Sequence, residues 1–480
     1  MGKGGSNKTW GDHLMQITDF RPVLERTGAI ADEALKNPKD YAAYTDALNG
    51  YLRKEVDGDY YSHWDVQPCP VAMTEPERNS LSRLGRTLYQ VVERILQMYA
   101  NGIDDVLDYN RRYSLFRPLM KRQLITWQEY GRYDFIVSKA GVPLFIETNA
   151  AMASGYLPGH FVQQRFVETA PDFLRVEGMV GETPDRFDTF GEYIRSCIAT
   201  FDQGDGALAI LVDENRKLHE VEMIKQSCEK AGVDVVVGDV GDLKHKNGDY
   251  FLDGTRIKAT FNKFRLFGAQ HHWSGDAVSR YHVFLEGLQN NAFLSINNFA
   301  CLTIAEDKGI FAAMRMPSVR QAMTTPELEF IDKHTPATYS LTDNAVTEKG
   351  ESVKETVLKT QGEWILKPRN DYRGSGIWSG RDHSSEEWGK MVKESIEGPV
   401  PYLAQARIDP FFFNLAHSGP DGVRQEEVRI VGGIYFRHMG VSSIVARVSP
   451  HEVVNAINGA YVLPEVVLPQ EAKVPQLQPA

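Results

Sequence analysis

Two short polar motifs lie on consecutive predicted strands. Arg132 and Asp134 lie on the first strand, and Glu147 and Asn149 lie on the second, after a turn that contains Gly141. Residues two apart on a strand face the same way, so a hairpin would bring together two carboxylates, an amide oxygen and a guanidinium group. Mg²⁺ prefers such hard oxygen ligands and completes its shell with phosphate oxygens and water. The pattern predicts a magnesium site in which the arginine balances charge or holds a phosphoryl group; the alternative is a salt-bridged surface hairpin.

A lysine followed by a loop of small residues forms a second motif. Lys367 ends the apolar run 364–366, and Gly374, Ser375 and Gly376 follow a few residues later. An ammonium group and several backbone N–H groups at the end of a strand can bind a polyphosphate. The residue order is neither that of a Walker A loop nor that of a GxGxxG fingerprint. This segment therefore predicts either a phosphate-binding loop or a polar hairpin loop.

Three more polar residues lie at the ends of predicted elements. Lys308 begins a helical stretch, Gln405 follows the apolar run 402–404, and Arg447 lies in an apolar strand. Taken singly, each of them is best explained as a solvated surface residue. A functional interpretation of these three residues depends on their order along the chain relative to the other motifs.

Composition excludes several classes of protein. A chain of 480 residues should fold into two or three lobes. Its net charge of −11 argues against a nucleic-acid-binding surface. The 4 cysteines are scattered, without the spacing of a disulfide framework or a zinc site, and suit a reducing cytoplasm. No apolar run reaches the roughly 18 residues that a membrane helix needs. We therefore expect a cytoplasmic protein without nucleic-acid or membrane partners.

The remaining patterns predict the elements that position these motifs. A capping box at Thr74 begins an amphipathic helix. The strand 207–212, the helix 218–231 and the strand 233–237 indicate a βαβ unit with a parallel sheet. Asp253 and the glycine after it predict a hairpin turn. The predicted fold class is α/β or α+β, with mixed sheets and a helical N-terminal region.

In this order the motifs resemble those of circularly permuted ATP-grasp enzymes, most closely the glutathionylspermidine-synthase-like ligases. In ordinary ATP-grasp chains the nucleotide-binding lysines come before the Glu-x-Asn motif. Here Glu147-x-Asn149 precedes Lys308 and Lys367, which is the permuted order. The resemblance covers residues 125–460 and implies an ATP-grasp fold.

The resemblance also implies a role for each matched residue. The implied magnesium ligands are Asp134, Glu147 and Asn149. The implied catalytic arginines, in contact with the reacting phosphates, are Arg132 and Arg447. The implied nucleotide contacts are Lys308, Lys367, Gly374, Ser375, Gly376, Leu403, Ala404 and Gln405. The resemblance further implies that residues 402–406 form a strand that frames the adenine, and that backbone groups of Leu403 and Ala404 bind the adenine edge.

The activity that the resemblance implies is ligation that depends on ATP and Mg²⁺. A carboxylate would be activated as an acyl phosphate and then attacked by an amine, which forms an amide bond. The partners would be an amino-acid- or peptide-like carboxylate and an amine. Two alternatives stay open: an ATP-dependent phosphotransferase, or a nucleotide-binding module without catalysis.

The chain is expected to divide into five segments. They are a helical N-terminal region (1–120), a permuted ATP-grasp segment with the metal motif (121–200), a βαβ domain of the kind that precedes ATP-grasp domains (201–300), ATP-grasp lobes with the lysines (301–465) and a disordered tail (466–480). The helical region has three open roles: to cap the active site, to bind substrate or to form a homodimer interface.

Overall fold

The computed structural model describes most of the chain as a mixed α and β fold with several sheets. The described residues are 19–57, 61–103, 117–151, 153–181, 185–201, 204–213, 219–264, 266, 275–370, 376–438, 440–452, 454 and 459–469. The α-helices among them are α1 (Arg21–Lys36), α2 (Pro38–Tyr51), α3 (Glu75–Ala100), α4 (Tyr156–Thr169), α5 (Arg186–Ala199), α6 (His219–Lys230), α7 (Gly275–Gln289), α8 (Ile310–Ala313), α9 (Pro317–Gln321), α10 (Thr325–His334), α11 (Val353–Lys359) and α12 (Ser385–Glu397). The expected α+β character is confirmed.

The strands, in chain order, form four sheets. They are β1 (Asp65–Val66), β2 (Val71–Thr74), β3 (Tyr130–Val137), β4 (Pro143–Asn149), β5 (Ala207–Val212), β6 (Val235–Asp239), β7 (Lys244–Lys246), β8 (Asp249–Leu252), β9 (Thr255–Asn262), β10 (Leu294–Ile296), β11 (Thr338–Ser340), β12 (Trp364–Pro368), β13 (Trp378–Ser379), β14 (Tyr402–Ala406), β15 (Phe413–Gly419), β16 (Gly422–Arg437), β17 (Gly440–Ser449), β18 (Tyr461–Leu463) and β19 (Glu465–Leu468). None of the described helices has the length and apolar character needed to cross a membrane.

The largest sheet has seven strands in the order β1-β18-β17-β16-β3-β4, with β15 paired to β16. It draws strands from three of the predicted segments, whose boundaries stay predictions. One of its faces is aromatic and packs on α3: Tyr133 stacks on Phe436 with ring centroids 4.5 Å apart, and Tyr89 of α3 meets Phe436 edge to face. As expected, α3 begins with a capping box, in which the backbone N–H of Thr74 donates to Glu77.

The second sheet confirms the predicted βαβ unit. β5 pairs in parallel with both β6 and β9, and α6 connects β5 to β6. β8 and β9 form the predicted hairpin, whose turn residues Asp253 and Gly254 both have positive φ, as a tight two-residue turn requires. β10 adds a further parallel strand on the other side of β9.

The third sheet, β11-β14-β12-β13, has a hydrophobic core of its own. The buried core residues of this lobe are Tyr339, Leu341, Val353, Val357, Trp364, Leu366, Trp388, Val392 and Ala404. We call residues 336–407 the small lobe and the seven-stranded sheet with its helices the body. Lys367 lies on β12 of the small lobe, so the two predicted nucleotide lysines belong to different parts of the fold.

The fourth sheet joins distant ends of the chain, because β19 pairs in parallel with β2. The predicted tail therefore begins inside a strand: residues 466–468 belong to β19, and this part of the expectation of a disordered tail is wrong. The apolar Val466 and Leu468 are buried, which explains why they join a strand. Residues 470–480 lie outside the described part of the chain.

Candidate active site

The hairpin of β3 and β4 brings the first polar motifs together. Arg132 lies opposite Asn149 and Asp134 lies opposite Glu147 in an antiparallel pair, so all four residues share one face of the sheet. This is the face opposite the aromatic one, since side chains alternate along β3. The predicted strand–turn–strand hairpin is confirmed.

Asp134 joins the two predicted catalytic arginines. Its Oδ1 accepts from Arg132 Nε at 2.5 Å, and its Oδ2 accepts from Arg132 Nη2 and from Arg447 Nη2, both at 2.9 Å. Asp134 is only 1% exposed. Burial alone would raise its pKa, but the two guanidinium groups outweigh burial and hold the pKa of Asp134 well below its ordinary value. This carboxylate is therefore ionised and anchors both arginines.

A glycine of β16 makes room for this cluster. Gly433 lies opposite Asp134 across the sheet. A Cβ atom there would lie 2.5 Å from Arg132 Cδ and 2.8 Å from Asp134 Oδ1. Only a residue without a side chain fits, so glycine at this position is part of the site.

Glu147, Asn149 and Lys308 lie next to this cluster. Asn149 Nδ2 is 3.3 Å from Asp134 Oδ2 and 3.4 Å from Glu147 Oε1. Lys308 Nζ lies 3.6 Å from Glu147 Oε2, and the side chain of Glu147 is 25% exposed. One continuous polar network thus links Arg132, Asp134, Asn149, Glu147 and Lys308.

The donor set suits Mg²⁺ at two of its three predicted ligands. The described residues contain no group of three or more His, Cys, Asp or Glu side chains arranged to hold a metal ion. Mg²⁺ does not need one, because it usually keeps several waters and takes one or two carboxylates together with substrate phosphates. Glu147 and Asn149 offer a partly accessible carboxylate and an amide. Asp134 has both oxygens bonded to guanidinium groups, and its role as a metal ligand stays a prediction.

Lys367 reaches from the small lobe into the body. Its Nζ donates to Ile146 O and to Gln405 Oε1, both at 2.7 Å. The pKa of Lys367 is lowered to about 7, mainly by burial; Glu147 opposes the shift and Lys308 adds to it. The structure therefore brings both predicted lysines close to the same carboxylate, Glu147.

A second set of contacts fixes the lysine-bearing segments to each other. Arg369 Nε and Nη2 donate to the two oxygens of Asp307 at 3.0 and 2.6 Å. The backbone N–H of Lys308 donates to Arg369 O at 3.1 Å. Asp307 is fully buried. Because Asp307 precedes Lys308 and Arg369 follows Lys367 by two positions, this ion pair sets the spacing between the two lysines.

The predicted adenine-framing strand is β14, in the middle of the small lobe. Leu403 and Ala404 pair with β12 on one side and with β11 on the other. Backbone groups of a central strand point to the neighbouring strands, so this register argues against the predicted backbone contact to an adenine. The side chain of Gln405 bonds to Lys367 and, through Nε2, to Thr338 Oγ1 at 2.9 Å. Gln405 thus holds a lysine in place.

The predicted phosphate loop is described only at its end. Gly374 and Ser375 lie outside the described residues. Gly376 has a φ of 68°, and a Cβ there would lie 2.9 Å from the hydroxyl of Tyr402. A glycine is therefore required where this loop rejoins the sheet.

No sequence pattern was interpreted as a functional role for Gly433, Asp307 or Arg369. A glycine inside a strand pattern signals a close approach of other atoms, and the pair Gly432–Gly433 was such a signal. For the ion pair no local signal exists, because its partners lie 62 positions apart in the sequence.

The comparisons with known proteins support the fold. No model of a known protein family matches this chain, and no curated protein matches it. Among solved structures, the chain is similar to a glutathione synthetase-like effector from Globodera pallida, determined in its apo form. The two chains are 10% identical, with a TM-score of 0.50, over 94% of this chain and 98% of the other. At this identity the likeness concerns the fold alone: both chains share a similar mixed α and β architecture.

Proposed function

We propose that this chain is a ligase of the circularly permuted ATP-grasp type, which uses ATP and Mg²⁺ to join a carboxylate to an amine. The observation that carries the proposal is the network around Glu147 and Asn149. Lys308 lies beside Glu147, Lys367 bonds to the backbone of the neighbouring Ile146, and Arg132 and Arg447 are joined to the network through Asp134. Three cationic side chains and a lysine that a bound phosphate would keep protonated suit a polyphosphate better than any neutral substrate.

Phosphoryl transfer depends mainly on position and charge, and the network supplies both. The lysines and arginines would spread the negative charge that develops as a phosphoryl group passes to the substrate carboxylate. Mg²⁺, when bound at Glu147 and Asn149, would offset the charge of the phosphates. Arg132 would then stabilise the oxyanion that forms when the amine attacks the acyl phosphate. None of these steps needs a serine or cysteine nucleophile.

The fold favours ligation over simple phosphoryl transfer. The similar solved structure is named a glutathione synthetase-like effector, and that name supports a ligase rather than a phosphotransferase. A phosphotransferase would use the same ATP-binding half, so the requirement for a second substrate separates the two activities.

The test is release of ADP from ATP and Mg²⁺ with pooled amino acids and short peptides, with and without pooled amines. Mass spectrometry then identifies the product. ADP that forms only when both pools are present, with a product equal to their sum less water, is the expected result. ADP without an amine, together with a stable phosphorylated product, would instead make the protein a phosphotransferase.

Lys308→Met should abolish this turnover, because it removes a cation from the centre of the network. A loss of about a hundredfold or more is expected for an electrostatic contact in a transition state. Lys393→Met is the matched control, since Lys393 is an exposed residue of α12 in the small lobe. Equal activity of the two variants would contradict the assignment of Lys308.

A further inference from the structure

The loop after β4 is held by charged side chains from several elements. Residues 150–155, the small-residue loop, follow directly after Asn149. At its start, Glu306 Oε2 accepts from the backbone N–H groups of Ala150 and Ala151 at 2.5 and 2.8 Å. Short polar contacts of this kind fix the backbone at the two residues that they contact, Ala150 and Ala151.

A buried ion pair holds the end of the same loop. Lys263 Nζ donates to Ala153 O at 2.5 Å, and Glu220 Oε1 accepts from the backbone N–H of Gly155 at 3.0 Å. Lys263 Nζ and Glu220 Oε2 are 3.3 Å apart, and the two side chains are 1% and 3% exposed. Lys263 follows β9 of the second sheet, and Glu220 lies on α6, the helix that connects β5 and β6 of that sheet.

Ser154 lies between these two contacts, and its carbonyl oxygen accepts a hydrogen bond from Arg132. Ser154 O accepts from Arg132 Nη1 at 2.6 Å and from the hydroxyl of Tyr435 at 2.5 Å. Lys263 holds the residue before Ser154, and Glu220 holds the residue after it. A shift of either contact would therefore move the carbonyl that orients Arg132.

Stability alone does not explain why this ion pair is buried. Two charges removed from water lose much of their favourable solvation free energy, and apolar replacements of similar volume are often neutral or stabilising. The loop also adopts a demanding conformation at Gly155, where φ is 101° and a Cβ would lie 2.9 Å from the Tyr435 hydroxyl. An arrangement of this kind is expected where a precise backbone position matters.

We propose that Lys263 and Glu220 are positioning residues that fix the Ser154 carbonyl and thereby hold Arg132 at the reacting phosphoryl group. The inference rests on the proposed function, since it assumes that Arg132 contacts the terminal phosphate of ATP. On this proposal, residues of the second sheet and its helix α6 contribute to catalysis without contacting the nucleotide.

The test compares the affinities for ATP and for ADP in the presence of Mg²⁺, measured by titration calorimetry. Only ATP carries the terminal phosphate, so the ratio of the two affinities reports on Arg132, whereas a general loss of structure would weaken both. The double variant Lys263→Met/Glu220→Gln removes both charges and keeps an acceptor for Gly155. We expect it to retain its ADP affinity and to lose about tenfold of its preference for ATP, the effect of a weakened charge-assisted hydrogen bond.

A double-mutant cycle shows whether the effect passes through Arg132. In an Arg132→Lys background, the Lys263→Met/Glu220→Gln change should lower the ATP preference no further, because the contact that it orients is already lost. The matched control is Lys258→Met/Glu222→Gln: Lys258 lies on β9, which precedes Lys263, and Glu222 is an exposed residue of α6, the helix of Glu220. This control should keep the wild-type ratio.

Tyr435→Phe gives a second test, whether or not the double variant folds. It removes one hydroxyl from Ser154 O and keeps the ring, so a lower ATP preference is expected. An unchanged ratio in the variants that fold, while Arg132→Lys lowers it, overturns the positioning role and leaves the proposed function standing. A wild-type protein that binds neither nucleotide overturns both.

Discussion

The two predicted nucleotide lysines lie in regions that are built in different ways. Lys308 belongs to the body, where the seven-stranded sheet is covered by helices and by a large continuous core. Lys367 belongs to the small lobe, whose separate core is formed by nine buried hydrophobic residues. The body can hold its half of the site through its own packing. The small lobe brings Lys367 to the site mainly through polar contacts that cross between the two regions.

Several of the crossing contacts are specific polar ones. They include Lys367 with Ile146 O and the Asp307–Arg369 ion pair. An apolar interface tolerates small shifts, whereas a bidentate ion pair has one preferred geometry. The stability of each region and the alignment of the two regions therefore have different sources. A hydrophobic core stabilises each region, and buried polar contacts align one region with the other. Four variants test this separation.

Trp388→Ala should have the largest effect, confined to the small lobe. Trp388 is completely buried in its core, and removal of such a side chain costs about 3–5 kcal/mol of unfolding free energy. Hydrogen exchange followed by mass spectrometry should show faster exchange in residues 336–407 and little change in the body. Lys393→Ala, an exposed position on the same helix, is the control; equal loss of protection in both regions would show that they unfold together.

Arg369→Met should come next, because it leaves the buried carboxylate of Asp307 without its guanidinium partner. Removal of one member of a buried ion pair costs about 3 kcal/mol or more. Urea denaturation measures this loss, and nucleotide affinity should fall with it as the lysines lose their alignment. Arg381→Met, which removes a half-exposed arginine of the same lobe, should change neither quantity. A loss below about 1 kcal/mol would mean that the ion pair is not needed to join the regions.

Gly433→Ala should have a smaller effect on stability and a large one on the site. The added Cβ must displace Arg132 or Asp134, and such overpacking costs about 1–3 kcal/mol. Thermal unfolding and nucleotide binding together measure both effects. Gly389→Ala is the matched control, since a Cβ at this helical glycine meets no atom within 4 Å and should stabilise the protein by about 0.5–1 kcal/mol. Normal nucleotide binding by Gly433→Ala would argue against the role of this glycine.

Glu129→Gln should give an effect that appears only as a change in the pH dependence of stability. Burial raises the pKa of Glu129 to about 8, although hydrogen bonds from Asn298 lower it. The folded protein then keeps a proton that the unfolded chain releases above about pH 4.3, so stability falls as the pH rises through 8. Urea midpoints should show that Glu129→Gln gains stability relative to the wild type between about pH 5 and pH 8. Glu386→Gln, an exposed control, should show no such trend.

The sequence predicted the local elements well, because their signals are local. The two apolar runs on either side of residues 139–141 predicted the hairpin, and Asp253–Gly254 predicted the turn between β8 and β9. The partners of these strands were out of reach, since the pairing of Asp134 with Gly433 spans 299 positions. Gln405 was assigned to the nucleotide, but its side chain bonds to Lys367, a contact that depends on the register of β12 and β14.

Lys263 and Glu220 show the same limit. Each residue looks like an ordinary surface charge in the sequence, and only the packing of α6 against β9 and the small-residue loop buries them. Long-range burial of charge has no periodic signature, so pattern analysis cannot find it.

The parallel pairs β1–β18 and β2–β19 have a consequence for the order of folding. They join residues 65–74 to residues 461–468, so the edge of the largest sheet and the whole fourth sheet each depend on strands that are synthesised almost 400 residues apart. Contacts of such long sequence separation form slowly, because a long loop must close first. During translation, β1 and β2 leave the ribosome long before their partners exist. Their apolar residues therefore stay unpaired in the nascent chain until residues 461–468 have been synthesised, so this part of the core cannot form earlier.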